Sequence, residues 1–215
     1  MQALLACCAF YSLSLLDTLL RWARGGAPAP GLTRPLHAAA PLLYALSAFV
    51  AAAFYTCIWP DAAFQAAHVA PKARFHSAAQ LARISRSRLA PQEAAGLPVA
   101  AWLHEVHAGP LLLAVLDLAG GRDAAMLAAH TPRALPLAAA ALATAAAYWA
   151  LLLWAAVTTG AWPYDFLWRM SDARRIGFAT AAGALLALLA LAFRAAALRR
   201  AALAAAYAER LKKES

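Results

Sequence analysis

His104, Glu105 and His107 stand together in WLHEVHAGPLLLAVLDLAG, residues 102–120, and open a stretch that is otherwise almost wholly apolar. Imidazole titrates near neutral pH and is the usual general base. A His/Glu cluster is also raw material for a zinc site. Spacing decides between these uses. On a helix His104 and His107 are three residues apart and share a face, while Glu105 points elsewhere. A zinc protease needs His-Glu-x-x-His, four apart, so no metal and no cofactor is expected here. Proton transfer remains, beside the blander alternative that half-apolar imidazole rings settle where a helix enters a membrane. An ionisable group beside an apolar span is a functional-site hypothesis by default, because burying it is costly.

The elements that must position these residues are membrane spans. The chain has 215 residues, 64% hydrophobic and 13% charged, with a mean hydropathy of +0.61. An ordinary soluble domain is ~45 to 50% apolar. Crossing a hydrocarbon core takes roughly 20 apolar residues, and such runs lie at 36–59, 99–119, 135–158 and 176–198. A fifth run, 3–20, carries Asp17 near its end and is taken as a span, since Met1, Gln2 and Ala3 supply no basic leader for a signal peptide. The expected fold is all-α: a polytopic transmembrane helix bundle of about five spans, forming one membrane-embedded domain over residues 1–215. Between the spans, GGAPAPG at 25–31 is a turn-rich link. The polar loop 60–98 contains a helical-looking piece at 75–84 that is too charged to cross a membrane cheaply.

A net charge of +9 invites nucleic acid as a partner, but the basic residues flank the spans instead of forming a stripe interleaved with aromatics. That placement sets orientation and meets anionic lipid, so the expected partners are membrane lipids and not nucleic acid. Cys7, Cys8 and Cys57 fall inside spans and make no Cys-x-x-Cys pair, which argues for neither a disulfide framework nor zinc. The tail, residues 199–215, is basic and therefore expected in the cytosol. It ends KKES, and lysine is otherwise almost absent from the chain. Lys212 and Lys213 resemble the dilysine retrieval signal of endoplasmic reticulum membrane proteins; a solvated basic helix end is the plain alternative.

WLHEVH, Asp117, HTPR at 130–133 and VTTGAWPYDFL at 157–167 together resemble, in order and approximate spacing, the androgen-induced family of multi-pass membrane proteins. The most specific part is Thr159, Gly160, Trp162, Tyr164, Phe166 and Leu167, whose aromatics also suit an interfacial belt. The resemblance implies hydrolysis of fatty acid esters of hydroxy fatty acids, a lipid ester substrate. It also implies that the second histidine of a His-x-x-His pair is catalytic, which is His107 here, with His104 as the first. The family's other catalytic residue is a threonine nucleophile at the start of the second span, activated as a hydroxyl is by a neighbouring base.

The chain departs from that pattern. Counting back along the second span puts Leu43 at the threonine's place, while Thr33 shares a Leu-Thr dipeptide with the family and is the candidate nucleophile. Ser47 and Thr56 are hydroxyls at other depths, expected to bond their own helix backbone. The family's third of six spans should fall between Trp59 and Arg88, where this chain is charged. With five spans, the starts of the second and third face opposite sides, some 30 Å of hydrocarbon apart. The competing expectation is a catalytically silent membrane protein that binds lipid or a partner; a transporter would need charge deep in the bundle, and only Asp17, Asp117 and Arg194 offer it, near span ends.

Overall fold

The computed structural model describes residues 2–58, 60, 99–121, 124–160 and 162–214. All of the expected loop 60–98 except Pro60, with its helical piece at 75–84, lies outside the described residues. Among the described residues seven α-helices follow in chain order: α1 Gln2–Ala23, α2 Pro30–Ala53, α3 Val99–Leu116, α4 Ala124–His130, α5 Ala134–Thr159, α6 Asp165–Trp168 and α7 Asp172–Glu214. One π-helical turn, Phe54–Ile58, continues α2, and another, Asp117–Gly121, continues α3. No strand occurs among the described residues, and the fold is all-α as expected.

Among the described residues, three helical stretches are long and apolar enough to cross a membrane: Gly31–Ile58, Ala134–Thr159 and Asp172–Glu214. The other two expected spans coincide with α1, of 22 residues, and α3, of 18. At 1.5 Å per residue, α3 covers ~27 Å before its π turn. The last helix exceeds expectation. With 43 residues it runs to about 65 Å, twice a bilayer core, so the basic tail is a continuous helical extension of the last span.

α2 is the central element, touching α1, α3, α4, α5 and α7. Its residues Leu36, Ala40 and Tyr44 recur four apart and pack with Phe10 of α1 and Ala114 of α3. Ala45, one position round the helix, packs with Leu137 and Ala141 of α5 and Leu186 and Ala190 of α7. Alanine dominates the second cluster because, where lipid is as apolar as any side chain, helices associate by close backbone approach across small residues. α1 turns into α2 through Gly25 and Gly26, whose φ values of 64° and 93° suit glycine, and the Gly26 amide closes the helix end on the Arg21 carbonyl at 2.7 Å.

α2 and α3 are antiparallel. The His107 ring stacks on Phe54 with centroids 3.7 Å apart, and the Tyr44 hydroxyl donates to Asp117 Oδ2 at 2.6 Å. Going ten residues back along α2 is therefore matched by going ten forward along α3, and α2 ends where α3 begins. At the other end of α2, His37 faces His130 of α4 with ring centroids 6.5 Å apart, and Arg194 of α7 donates to the Pro132 carbonyl at 2.8 Å. One end of the bundle thus gathers the α1–α2 turn, α4 and the exit of α7. The opposite end gathers Phe54, His107 and the α5–α7 link.

Candidate functional sites

Thr33 and His107 occupy opposite ends of α2. Thr33 lies in its first turns and His107 stacks on Phe54, just past its last residue, a separation of roughly 30 Å at 1.5 Å per residue. The two residues the sequence nominates for one catalytic step are in different environments.

Thr33 belongs to a buried polar cluster. Its hydroxyl donates to Asp17 Oδ1 at 2.5 Å and accepts the Ala29 amide at 3.1 Å. One turn later, His37 Nδ1 lies 2.8 Å from the Thr33 carbonyl, which accepts only if that nitrogen carries the proton. Asp17, Thr33 and His37 are all buried, so a carboxyl group in the last turns of α1 is matched to the hydroxyl opposite it across the α1–α2 turn. Among the described residues no group of three or more His, Cys, Asp or Glu side chains is arranged to hold a metal ion.

The Thr33 arrangement differs from that of most hydroxyls on the long helices. Ser47, Thr56, Thr144, Thr158, Thr159 and Thr180 each donate to the carbonyl four residues back, at 2.7 to 2.9 Å. That is the self-bonding expected of Ser47 and Thr56, and Thr159 of the aromatic motif follows the same rule. Leu43, where counting places the family's threonine, packs beside the Phe10–Tyr44 cluster.

His107 lines a cavity of about 440 Å³ between α1, α2, α3, α5 and α7. Most of its wall is apolar, including Leu46, Phe49, Val50, Leu152, Phe178 and Leu186. The volume falls within the ~300 to 1,000 Å³ of small-molecule sites. Polar atoms enter the wall at Cys7, Ser47, His107, Thr144, Tyr148 and Tyr164. Cys7 Sγ and Ser47 Oγ lie 3.4 Å apart, and the Tyr148 and Tyr164 hydroxyls 2.6 Å apart. The side chain of His104 lies outside the described ones; its backbone is helical in α3.

The aromatic motif shapes the far wall of this cavity. Gly160, with φ +67°, ends α5 in a left-handed turn and sends the chain back toward the bundle. Trp162 is tilted against Trp149 at 5.8 Å, with the Arg175 guanidinium 4.8 Å over its ring. Arg175 also pairs with Asp172 at 2.5 Å and donates to the Leu167 carbonyl at 2.9 Å, pinning the link to the start of α7. Tyr164 and Phe166 stack at 5.8 Å, and both line the cavity, as does the buried Leu167. Thr159, Gly160 and Trp162 hold the link without entering that wall.

A comparison with protein-family models matches residues 42–196 to the FAR-17a/AIG1-like proteins. The chain belongs to that family. The match takes in His107 and the aromatic motif, whereas Thr33 precedes it. Membership and the apolar helices make this an integral membrane protein, in the androgen-induced family that the motifs resemble. No curated protein and no solved structure matches the chain.

Sequence reasoning missed Tyr148, Phe54 and the partnership of Asp17 with Thr33. Only the last had a legible signal. Asp17 and Thr33 are equidistant from Gly25 at the turn, so an antiparallel α1–α2 hairpin sets them opposite one another, and an ionisable residue in a span needs such a partner.

Proposed function

We propose that this FAR-17a/AIG1-like protein is a membrane lipid-ester hydrolase acting on fatty acid esters of hydroxy fatty acids. The observation that carries the reading is an imidazole, His107, in the wall of an apolar cavity that an acyl chain can fill. In that site His107 is the general base. The family resemblance supplies Thr33 as nucleophile, but the arrangement in this structure does not bring its hydroxyl to the cavity that His107 lines, so activation of Thr33 by His107 is not a step these residues perform as placed. The endoplasmic reticulum, with the tail in the cytosol, is the location this reading adopts.

One observation favours a second reading. Thr33 and His107 lie roughly 30 Å apart along α2, beyond any single reacting centre, which suits a protein that binds lipid in the cavity without hydrolysing it. Membranes bearing the wild-type chain, His107→Ala, His104→Ala or Thr33→Ala, assayed on a hydroxy fatty acid ester against a vector control, decide between them. The hydrolase reading expects His107→Ala to lose ~10² to 10⁴ in rate, as loss of a positioned base does. It expects His104→Ala to lose much less. Equal losses for Thr33→Ala, and no further loss in the double variant, would join Thr33 and His107 in one site. Wild-type activity no greater than the vector control leaves the lipid-binding reading, and full activity in His107→Ala removes His107 as the base and with it the observation that carries the hydrolase reading.

A further inference from the structure

The Tyr148–Tyr164 pair has hydrogen-bonding capacity that its own contact does not use. Each phenol carries one proton and can also accept. At 2.6 Å, one proton lies between the two oxygens, and the hydroxyl that accepts it keeps its own proton for a third group. Tyr148 lies eleven residues before the end of α5, about three turns inside a helix of 26 residues. Tyr148 is 37% exposed on an apolar span, where the bundle meets hydrocarbon, and a donor left unsatisfied there costs free energy. Both phenols line the same cavity as His107, and the wall around them offers mainly alkyl and aromatic carbon.

We propose that this phenol pair is the carbonyl-binding group of the cavity. An acyl chain lies along Leu46, Val50, Leu152 and Leu186, and its ester carbonyl oxygen accepts the spare O–H of the pair. The arrangement selects a lipid that carries a carbonyl within reach of a long chain, and it rejects a plain hydrocarbon of equal length by leaving the donor unpaired. The pair thereby positions the ester on the cavity that His107 also lines. The assignment explains why the Gly160 turn folds the link inward, because only a returning link brings Tyr164 to Tyr148. It rests on the reading that the cavity takes an acyl lipid, and it stands independently of hydrolysis.

The test compares two photoreactive probes in native membranes: a sixteen-carbon fatty acyl ester with a diazirine in its chain, and the diazirine alkane of the same length. The ester should label cavity residues of α2 and α5 and be displaced by unlabelled ester. The informative variant is the double substitution Tyr148→Phe with Tyr164→Phe, since either phenol alone could still donate. It should weaken ester labelling about three- to tenfold, the loss of one net hydrogen bond, while alkane labelling stays at wild-type level. Unchanged ester labelling in the double variant overturns the proposal. So does an equal fall with both probes, because the pair is then structural, and so does wild-type protein that the ester fails to label in the cavity. Ester that labels the wild-type cavity in a carbonyl-dependent way, yet is never hydrolysed, leaves the phenol pair standing and removes the hydrolase reading alone.

Discussion

Asp17 and Thr33 show how a single residue can be expensive and still belong. A carboxylate inside an apolar helix costs several kcal/mol unless it is paired, and Thr33 meets it with an O–H at 2.5 Å. Hydrogen bonds to charged groups contribute ~1.5 to 3 kcal/mol, so Thr33→Val should lower unfolding stability in detergent by about that much. Asp17→Asn keeps the shape and an acceptor oxygen and should cost less than Thr33→Val. Thermal unfolding of both single variants and the double variant checks this, because residues in contact couple by ~0.5 to 3 kcal/mol. Additive losses would mean the two side chains do not stabilise one another. The sequence nominates His107 by its position at the mouth of a span and Thr33 by its dipeptide. Their separation followed from counting spans. What stayed illegible was Phe54 beneath His107 and Tyr148 opposite Tyr164, since partners 53 and 16 residues away are set by packing and not by any local pattern.

At the scale of elements, α5 and α7 meet at Gly183, where there is room for a methyl group and not for a larger side chain. A Cβ built there would come within 3.5 Å of Ala145 Cβ and 3.6 Å of Leu142 Cδ2, which is ordinary contact, so Gly183→Ala should be nearly neutral. Gly183→Leu forces the helices apart across the Ala141–Ala190 cluster and should cost ~1 to 3 kcal/mol, as overpacking does. Because Ala145 and Leu186 also line the cavity, the same variant should impair acyl-probe labelling. A Gly183→Leu protein with wild-type stability and labelling would mean that this helix pair does not bound the cavity. The long helices were readable from apolar runs, and the turn between α1 and α2 from the Gly and Pro of residues 25–31. The length of α7 was not. Past Leu198 the sequence loses its apolar run but keeps Ala, Leu, Glu, Arg and Lys, all good helix formers, so nothing stops the helix where the span ends.

For the whole molecule, the antiparallel register of α2 and α3 fixes which connections share a side. The α1–α2 turn and the α3–α5 connection lie at the end from which the basic extension of α7 leaves, and the α5–α7 link lies at the other. Glycosylation acceptors placed near residues 28 and 126 should therefore behave alike, and one near 168 oppositely. The tail carries Arg199, Arg200, Arg210, Lys212 and Lys213, and such charge is retained on the cytosolic side. The acceptor near 168 should then be the one modified, because modification takes place in the lumen. Modification near 28 would place the tail in the lumen and end any cytosolic reading of Lys212 and Lys213. With the tail in the cytosol, both lysines stand exposed at the end of α7, roughly 20 Å beyond Leu198 along a continuous helix, within reach of a receptor at the membrane surface. A retrieval signal is read by side-chain identity, whereas a solvated basic end acts through charge. Changing Lys212 and Lys213 to Arg separates the two, since charge is kept and identity lost. Release of a tagged Arg variant toward later secretory membranes, matched by the Ser variant, would make the pair an address. Retention of both variants would leave the tail as solvated charge, and would require the endoplasmic reticulum assignment to rest on something other than Lys212 and Lys213.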